Sequence, residues 1–196
     1  MKEDTQTKLE YIDGLMSSLR SDPRHEELWA HVADVLLEAG QFEKAVRAYD
    51  MALQLDPKLH RAQIGLTVAL DLCDEDLSGR EPPKMRSTVW EVIQVLETLV
   101  RGLKEGRRAL FVDVQALRLQ KATARRLAQD PDDPDALFLR SAMLAKQGAF
   151  EEAIRVLDRL HGRGVEYPGA REFREQLREL MKASAPRTAA KPKLKK

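Results

Sequence analysis

Apolar residues recur at helical spacing along nearly the whole chain, and no segment keeps the two-residue alternation of a β-strand. In the first run, Leu9, Ile12 and Leu19 share one face of a helix predicted over about residues 5–20. Breaks that contain Gly, Pro or Asp separate the runs. The pattern therefore predicts an all-α protein of about nine helices. The other eight are predicted at about residues 26–38, 41–57, 58–72, 84–104, 107–129, 135–146, 150–160 and 169–181.

The third predicted helix has an unusual buried face. Ala45, Tyr49 and Ala52 lie at i, i+4 and i+7, so they line one side of it. An ordinary amphipathic helix would place Leu there, and two alanines indicate that other helix backbones come close. The block Gly-x-Phe-Glu-x-Ala at residues 40–45 recurs at 148–153, each time after a helix of similar length. A recurrence of this kind is typical of stacked helical hairpins.

These residues resemble the tetratricopeptide repeat, whose pattern is Trp-x2-Leu-Gly-x2-Tyr, then Ala-x3-Phe, then Pro. Pro23 and Pro57 are 34 residues apart, which is the length of that repeat. A weaker copy covers about residues 134–161, where Arg140 takes a usually apolar place. The matching places of the clear repeat, residues 26–59, are Trp29, Val32, Ala33, Leu36, Ala45, Tyr49, Ala52 and Pro57.

The middle of the chain fits the repeat less well. Residues 107–129 contain no Gly or Pro and read as one unbroken helix, so we predict three long helices between Pro57 and Pro131 instead of four. The predicted organisation is one helical domain over residues 1–184. This domain contains a long-helix middle at 84–130 and a capping helix at 169–181. A disordered basic tail at 185–196 follows the domain.

The resemblance implies a right-handed superhelix of antiparallel helix pairs that binds a peptide or partner segment on its concave face. The predicted function is therefore a non-catalytic scaffold or adaptor. Chaperone-binding members of the family clamp a carboxylate with Lys, Asn and Arg, but this chain contains no Asn. The candidate groove residues are His31, Asp34, Glu38, Arg61, Ile64, Val68, Phe138, Leu139, Ala142 and Lys146.

Charge is unevenly distributed along the sequence. Residues 182–196 carry six basic and no acidic residues, which leaves 27 basic and 32 acidic residues in the rest of the chain. The basic tail suggests one alternative function, a nucleic-acid or ribosome-associated factor. A second alternative is a self-associating scaffold whose repeat ends stack into an oligomer.

No motif for catalysis, metal binding or cofactor binding is found in the sequence. The four histidines are dispersed, Cys73 has no partner cysteine, and the Asp-Pro turn at 130–135 lacks the central glycine of a calcium loop. We therefore expect no enzyme activity, no metal and no cofactor. No apolar run reaches the roughly 18 residues of a membrane span and no signal core precedes the first helix, so a cytoplasmic location is predicted.

Overall fold

Every regular element that the structure describes is an α-helix, which confirms the predicted all-α class. A computed structural model describes residues 2–74, 76–77, 79–107, 110–162 and 167–184. The basic tail lies outside these residues. The helices are α1 (Lys2–Ser21), α2 (Glu26–Glu38), α3 (Phe42–Leu55), α4 (His60–Leu72), α5 (Met85–Lys104), α6 (Val114–Gln129), α7 (Pro134–Lys146), α8 (Phe150–His161) and α9 (Ala170–Ser184).

The chain divides into two compact units, residues 1–118 and residues 119–196. The division falls inside α6, whose Val114 and Leu117 pack on the core of the first unit and whose Leu127 packs on the core of the second. Within the described ranges, three helices (α4, α5 and α6) occupy the middle of the chain, as predicted. A single domain over residues 1–184 stays a prediction.

The first unit is built around the α2–α3 hairpin. Trp29 and Tyr49 are fully buried there together with Ala33 and Ala45, so small residues stand where the two helices approach and large ones fill the gaps between them. The indole N–H of Trp29 donates to the carbonyl of Pro23 at 2.7 Å, which satisfies its buried polar atom. Helix α4 packs on α3 and α2, while α5 packs on α1 and α3.

Glycine ends the first helix of both hairpins in the same way. Gly40 and Gly148 have φ values of 70° and 80°, a left-handed conformation that glycine adopts without strain. After Gly40, the N–H of Gln41 donates to the carbonyl of Leu36 at 2.8 Å, and after Gly148 the N–H of Ala149 donates to that of Leu144 at 2.9 Å. The predicted correspondence of these two glycines is confirmed.

The predicted start of the sixth helix is wrong. It begins at Val114 instead of about residue 107, because the preceding residues bond elsewhere. The N–H of Val112 donates to the carbonyl of Glu38 at 2.7 Å, at the last turn of α2. Asp113 then accepts from the N–H of Ala116 at 3.0 Å, so it acts as the N-cap of α6.

The second unit is an α7–α8 hairpin with α9 packed on α8. Its core is small, with Leu137, Ala153, Leu157, Leu160 and Leu177 buried together. Helix α9 runs three residues beyond the predicted end, and most of its described surface is charged and exposed. A capping role for α9 stays a prediction.

Candidate functional site

A buried tyrosine organises the polar residues of the first unit. The ring of Tyr49 passes directly over Gly65 of α4, where a Cβ atom would stand 2.3 Å from it. The Tyr49 hydroxyl donates to Oδ1 of Asp34. Burial, and then this hydrogen bond to a carboxylate, raises the pKa of Tyr49 far above its usual range. The hydroxyl therefore stays protonated and fixes one oxygen of Asp34.

Asp34 in turn holds Arg61. The guanidinium of Arg61 donates through Nε, at 3.0 Å, and through Nη2 to Oδ2 of Asp34. Desolvation lowers the pKa of Arg61, but the hydrogen bonds and negative charge of Asp34 outweigh it and the net shift is upward. Because Asp34 is itself fixed by Tyr49, the guanidinium of Arg61 is held in one orientation.

His31 links Arg61 to the first helix. Its Nε2 lies 3.2 Å from Nη1 of Arg61, and its Nδ1 lies 2.8 Å from the hydroxyl of Tyr11. A guanidinium only donates hydrogen bonds, so Nε2 is the acceptor and Nδ1 carries the proton. That proton is donated to the Tyr11 oxygen. Tyr11 is therefore part of the polar chain that ends at Arg61.

Helix α1 also covers the end of α2 at Glu38. Nζ of Lys8 lies 2.9 Å from Oε2 of Glu38 and 3.7 Å above the ring of Phe111. The predicted groove residue Glu38 is therefore paired within the unit.

Apolar surface remains open beside Arg61. Ile64 is 67% exposed and lies one turn further along α4, and Tyr11 is 43% exposed on α1. Val68 is half-buried against the core. The term Arg61 face denotes Tyr11, His31, Asp34, Arg61 and Ile64 from here on.

In the second unit, Phe138 contacts other aromatic side chains of the same unit. Its ring stacks on Tyr167 with centroids 4.8 Å apart and lies 5.8 Å from Phe173. Leu139 and Ala142 are half-buried and Lys146 is exposed. A binding role for these four residues stays a prediction.

Sequence reasoning found three members of the Arg61 face that touch one another, namely His31, Asp34 and Arg61. It missed Tyr11, which lies off the apolar stripe of α1, and it assigned Tyr49 to packing alone. Residues 34 and 61 are 27 positions apart, so no local sequence pattern predicts their contact. Tyr49 offered one signal, since a buried tyrosine hydroxyl needs a polar partner.

The aspartate-rich turn before α7 has a structural role. Asp133 accepts from the N–H of Ala136 at 2.9 Å, and this bond, together with Arg126, holds the pKa of Asp133 below its usual range. Asp132 accepts from Arg159 at 2.8 Å. The carboxylates therefore cap a helix and bind arginines.

The described ranges offer neither a metal-binding cluster nor a membrane-spanning helix. They contain no group of three or more His, Cys, Asp or Glu residues placed to hold a metal ion. None of their helices has the length and apolarity needed to cross a membrane. The tail lies outside these ranges, so the nucleic-acid alternative stays a prediction, as does self-association.

Comparison with known proteins places the chain in a family. Two profiles described as Tetratricopeptide repeat match residues 26–59 and residues 99–170, together more than half of the 196 residues. A Saccharomyces cerevisiae protein named Peroxisomal targeting signal receptor is 38% identical over 58 residues, which are 30% of this chain and 10% of that protein. The chain thus covers only a small part of this relative. No solved structure matches the chain. With its two helix hairpins and these two profile matches, the chain is a tetratricopeptide repeat protein.

Proposed function

We propose that this chain is a non-catalytic scaffold or adaptor that binds an extended segment of a partner protein on the inner face of its helices. In the first unit the contact is the Arg61 face. The groove candidates of the second unit, Phe138, Leu139, Ala142 and Lys146, form a second proposed contact. A cytoplasmic location is part of the same proposal.

The fixed arginine beside exposed apolar surface carries this proposal. A guanidinium has five N–H groups, and Asp34 and His31 engage three of those of Arg61. Among the described residues, two are therefore left for an acceptor such as a peptide carbonyl oxygen. Ile64, exposed next to them, suits an apolar side chain of the same segment. Because the arginine is already ordered, binding loses little side-chain entropy.

The named relative supports the class of ligand only. Its name describes a receptor for a targeting signal, which agrees with recognition of a protein segment. The matching stretch covers 10% of that protein, so the identity of the signal is not carried over. The family match supports a protein partner in general terms.

A displayed library of random peptides, selected on the purified chain, tests the proposal. Selected peptides are measured by fluorescence anisotropy against wild type, Ile64→Glu and Trp90→Glu. Ile64 and Trp90 are both 67% exposed, on α4 and α5, so the two changes place the same charge on equally open positions. We expect Ile64→Glu to weaken binding about ten-fold or more and Trp90→Glu to change it less than about two-fold.

The second contact is tested at Lys146, which is exposed, with the Lys146→Glu variant. Phe138 is not changed, because its ring stacks on Tyr167 and a substitution there would also disturb the packing of the unit. A loss for Lys146→Glu would support the second contact. Equal affinity of wild type and Ile64→Glu for every selected peptide would reject the Arg61 face as the binding surface.

A further inference from the structure

A small cavity lies between α8 and α9 in the second unit, beside the first turn of α9. Its volume is about 50 Å³, which is room for a group of a few atoms. Leu157 and Leu160 of α8 and Ala170 of α9 form apolar walls, and Arg171 and Arg174 of α9 also line it. The remaining lining residues are His161 and Tyr167. The cavity therefore combines apolar walls with two guanidinium groups.

Arg174 has a buried donor with no acceptor. Its Nη1 donates to Oδ1 of Asp158 on α8 at 2.9 Å, and its side chain is only 18% exposed. Its Nε is the one buried side-chain nitrogen or oxygen atom of the described residues that has no hydrogen-bond partner. Leaving a buried N–H unpaired costs free energy, so this atom marks a place for an acceptor.

Four other arginines show which acceptor this part of the guanidinium takes. Each donates through Nε and Nη2, which lie along one edge of the group, to the carboxylate of an aspartate. In Arg80 these two bonds to Asp50 are 2.6 and 2.8 Å long. Arg174 binds its aspartate through Nη1 instead, so its Nε is left unpaired. The other three pairs are Arg61–Asp34, Arg126–Asp133 and Arg159–Asp132.

The start of α9 favours a negative charge at the same place. The carbonyl of Gly169 accepts from the N–H of Phe173 at 3.0 Å, so this glycine is the N-cap and has no side chain to pair with the next N–H groups. The N-terminus of a helix carries partial positive charge. Helical side chains lean toward the N-terminus, which brings those of Arg171 and Arg174 toward this end of α9.

We propose that this cavity binds a carboxylate group, which accepts from Nε of Arg174 and is stabilised by the N-terminus of α9. A carboxylate is planar and has two acceptor oxygens, so it matches the edge of a guanidinium. The carbon atoms next to it would contact Leu157 and Leu160. The site lies apart from the Arg61 face and does not depend on the function proposed above.

The neighbouring carboxylates and the tyrosine are engaged elsewhere. Asp158 is shared between Arg174 and Arg178, whose Nη2 lies 3.9 Å from it. Oε1 of Glu175 lies 3.7 Å from Nε of Arg171, which is longer than a hydrogen bond. The hydroxyl of Tyr167 donates to Asp135 at 2.9 Å. None of these groups pairs with Nε of Arg174.

The test follows the arginine Nε–Hε signals of the isotope-labelled full chain by NMR during titration with sodium acetate. Sodium chloride at the same ionic strength is the reference. Arg174→Lys keeps the positive charge and removes the Nε donor, so the signal that this variant lacks belongs to Arg174. The matched control is Arg178→Lys, one turn further along α9 and also beside Asp158. Affinities are taken from the backbone amide signals of the first turn of α9, which all three proteins have.

We expect acetate to shift the Arg174 signal to saturation and chloride to leave it nearly unchanged. Arg174→Lys should weaken acetate binding about ten-fold, because a charge-assisted hydrogen bond is lost. Arg178→Lys should change it less than about two-fold. Circular dichroism checks that helix content is unchanged, and the wild-type titration tests the proposal even if Arg174→Lys does not fold.

Two sources of the carboxylate are separated by blocked amino acids. Binding of N-acetylglutamate N-methylamide, but not of its glutamine counterpart, would show that the cavity takes a side chain of a protein segment. Binding of acetate alone would assign it to a small free carboxylate. Both results support the site.

Three results would overturn the proposal. Without a saturable shift, or with the same shift in chloride, the cavity holds water only. Equal losses in Arg174→Lys and Arg178→Lys would show that acetate does not bind at Nε of Arg174. Phosphate bound more tightly than acetate would assign the cavity to a tetrahedral anion instead of a carboxylate.

Discussion

The α2–α3 and α7–α8 hairpins share a turn and differ in what fills the space between their helices. Both end the first helix at a left-handed glycine, and both place a fully buried alanine early in the second helix, Ala45 and Ala153. Trp29 and Tyr49 fill the first hairpin, whereas Leu137 and Leu157 stand at the corresponding places of the second. The two hairpins therefore share the glycine turn and the buried alanine although the large side chains between their helices differ.

The large residues determine how much apolar surface each hairpin buries. The cluster around Trp29 and Tyr49 extends through α1, α4 and α5, while the cluster of the second hairpin is completed by α9, with Leu177 buried and Phe173 beside it. At the place of Ala33 the second hairpin has Ser141, a buried hydroxyl that donates to the carbonyl of Phe138 at 2.6 Å. A weak match to the repeat thus corresponds to a smaller core within an intact fold.

The largest effect is expected where the two hairpins differ most. Trp29→Ala removes a fully buried side chain and should lower the free energy of unfolding of the first unit by about 3–5 kcal/mol. Leu137→Ala should lower the free energy of unfolding of the second unit by about 2–3 kcal/mol, a smaller loss because fewer buried side chains surround Leu137. Urea unfolding measures both.

Both tryptophans lie in residues 1–118, so their fluorescence reports the first unit, and circular dichroism reports both. Trp90→Ala is the control, since its side chain is 67% exposed, and it should change stability by less than about 0.5 kcal/mol. Equal losses for Trp29→Ala and Trp90→Ala would contradict the packing described for the first hairpin.

The second prediction concerns the place where the two hairpins agree. Ala45→Leu inserts a large side chain between closely approaching helices and should cost about 1–3 kcal/mol. Ala153→Leu is the corresponding change and should cost less, because half-buried neighbours such as Phe150 and Ile154 have room to shift. Thermal melts followed by circular dichroism compare the two. A melt that Ala45→Leu leaves unchanged would count against close contact at this residue.

How much of this could be read from the sequence depends on the range of each contact. The hairpin turns and buried alanines follow from local spacing, and they were predicted. The start of α6 was not, because it depends on a hydrogen bond from Val112 to Glu38 of another helix. The sequence makes Phe138 a candidate groove residue, but its ring stacks on Tyr167, because periodicity does not say which helix or loop covers a given face.

The smallest effect compares two tyrosine–aspartate hydrogen bonds. Tyr49→Phe removes the buried bond to Asp34 and should cost about 1 kcal/mol at neutral pH. Tyr167→Phe removes the more exposed bond to Asp135, 2.9 Å long, and should cost less than about 0.5 kcal/mol. Urea unfolding at pH 7 gives both values.

The same pair predicts a pH dependence. The pKa of Tyr49 is raised by burial and that of Tyr167 by its bond to Asp135. Above pH 10 an unfolded tyrosine loses its proton while folded Tyr49 keeps it, so stability from Tyr49 is present below pH 10 and falls as pH rises. The slope is up to about 1.4 kcal/mol per pH unit for one such group. Tyr49→Phe should flatten the loss of stability above pH 10 in the first unit. If the two proteins lose stability in parallel there, folded Tyr49 releases its proton as readily as the unfolded chain does, and its hydrogen bond to Asp34 does not hold the Arg61 face in place.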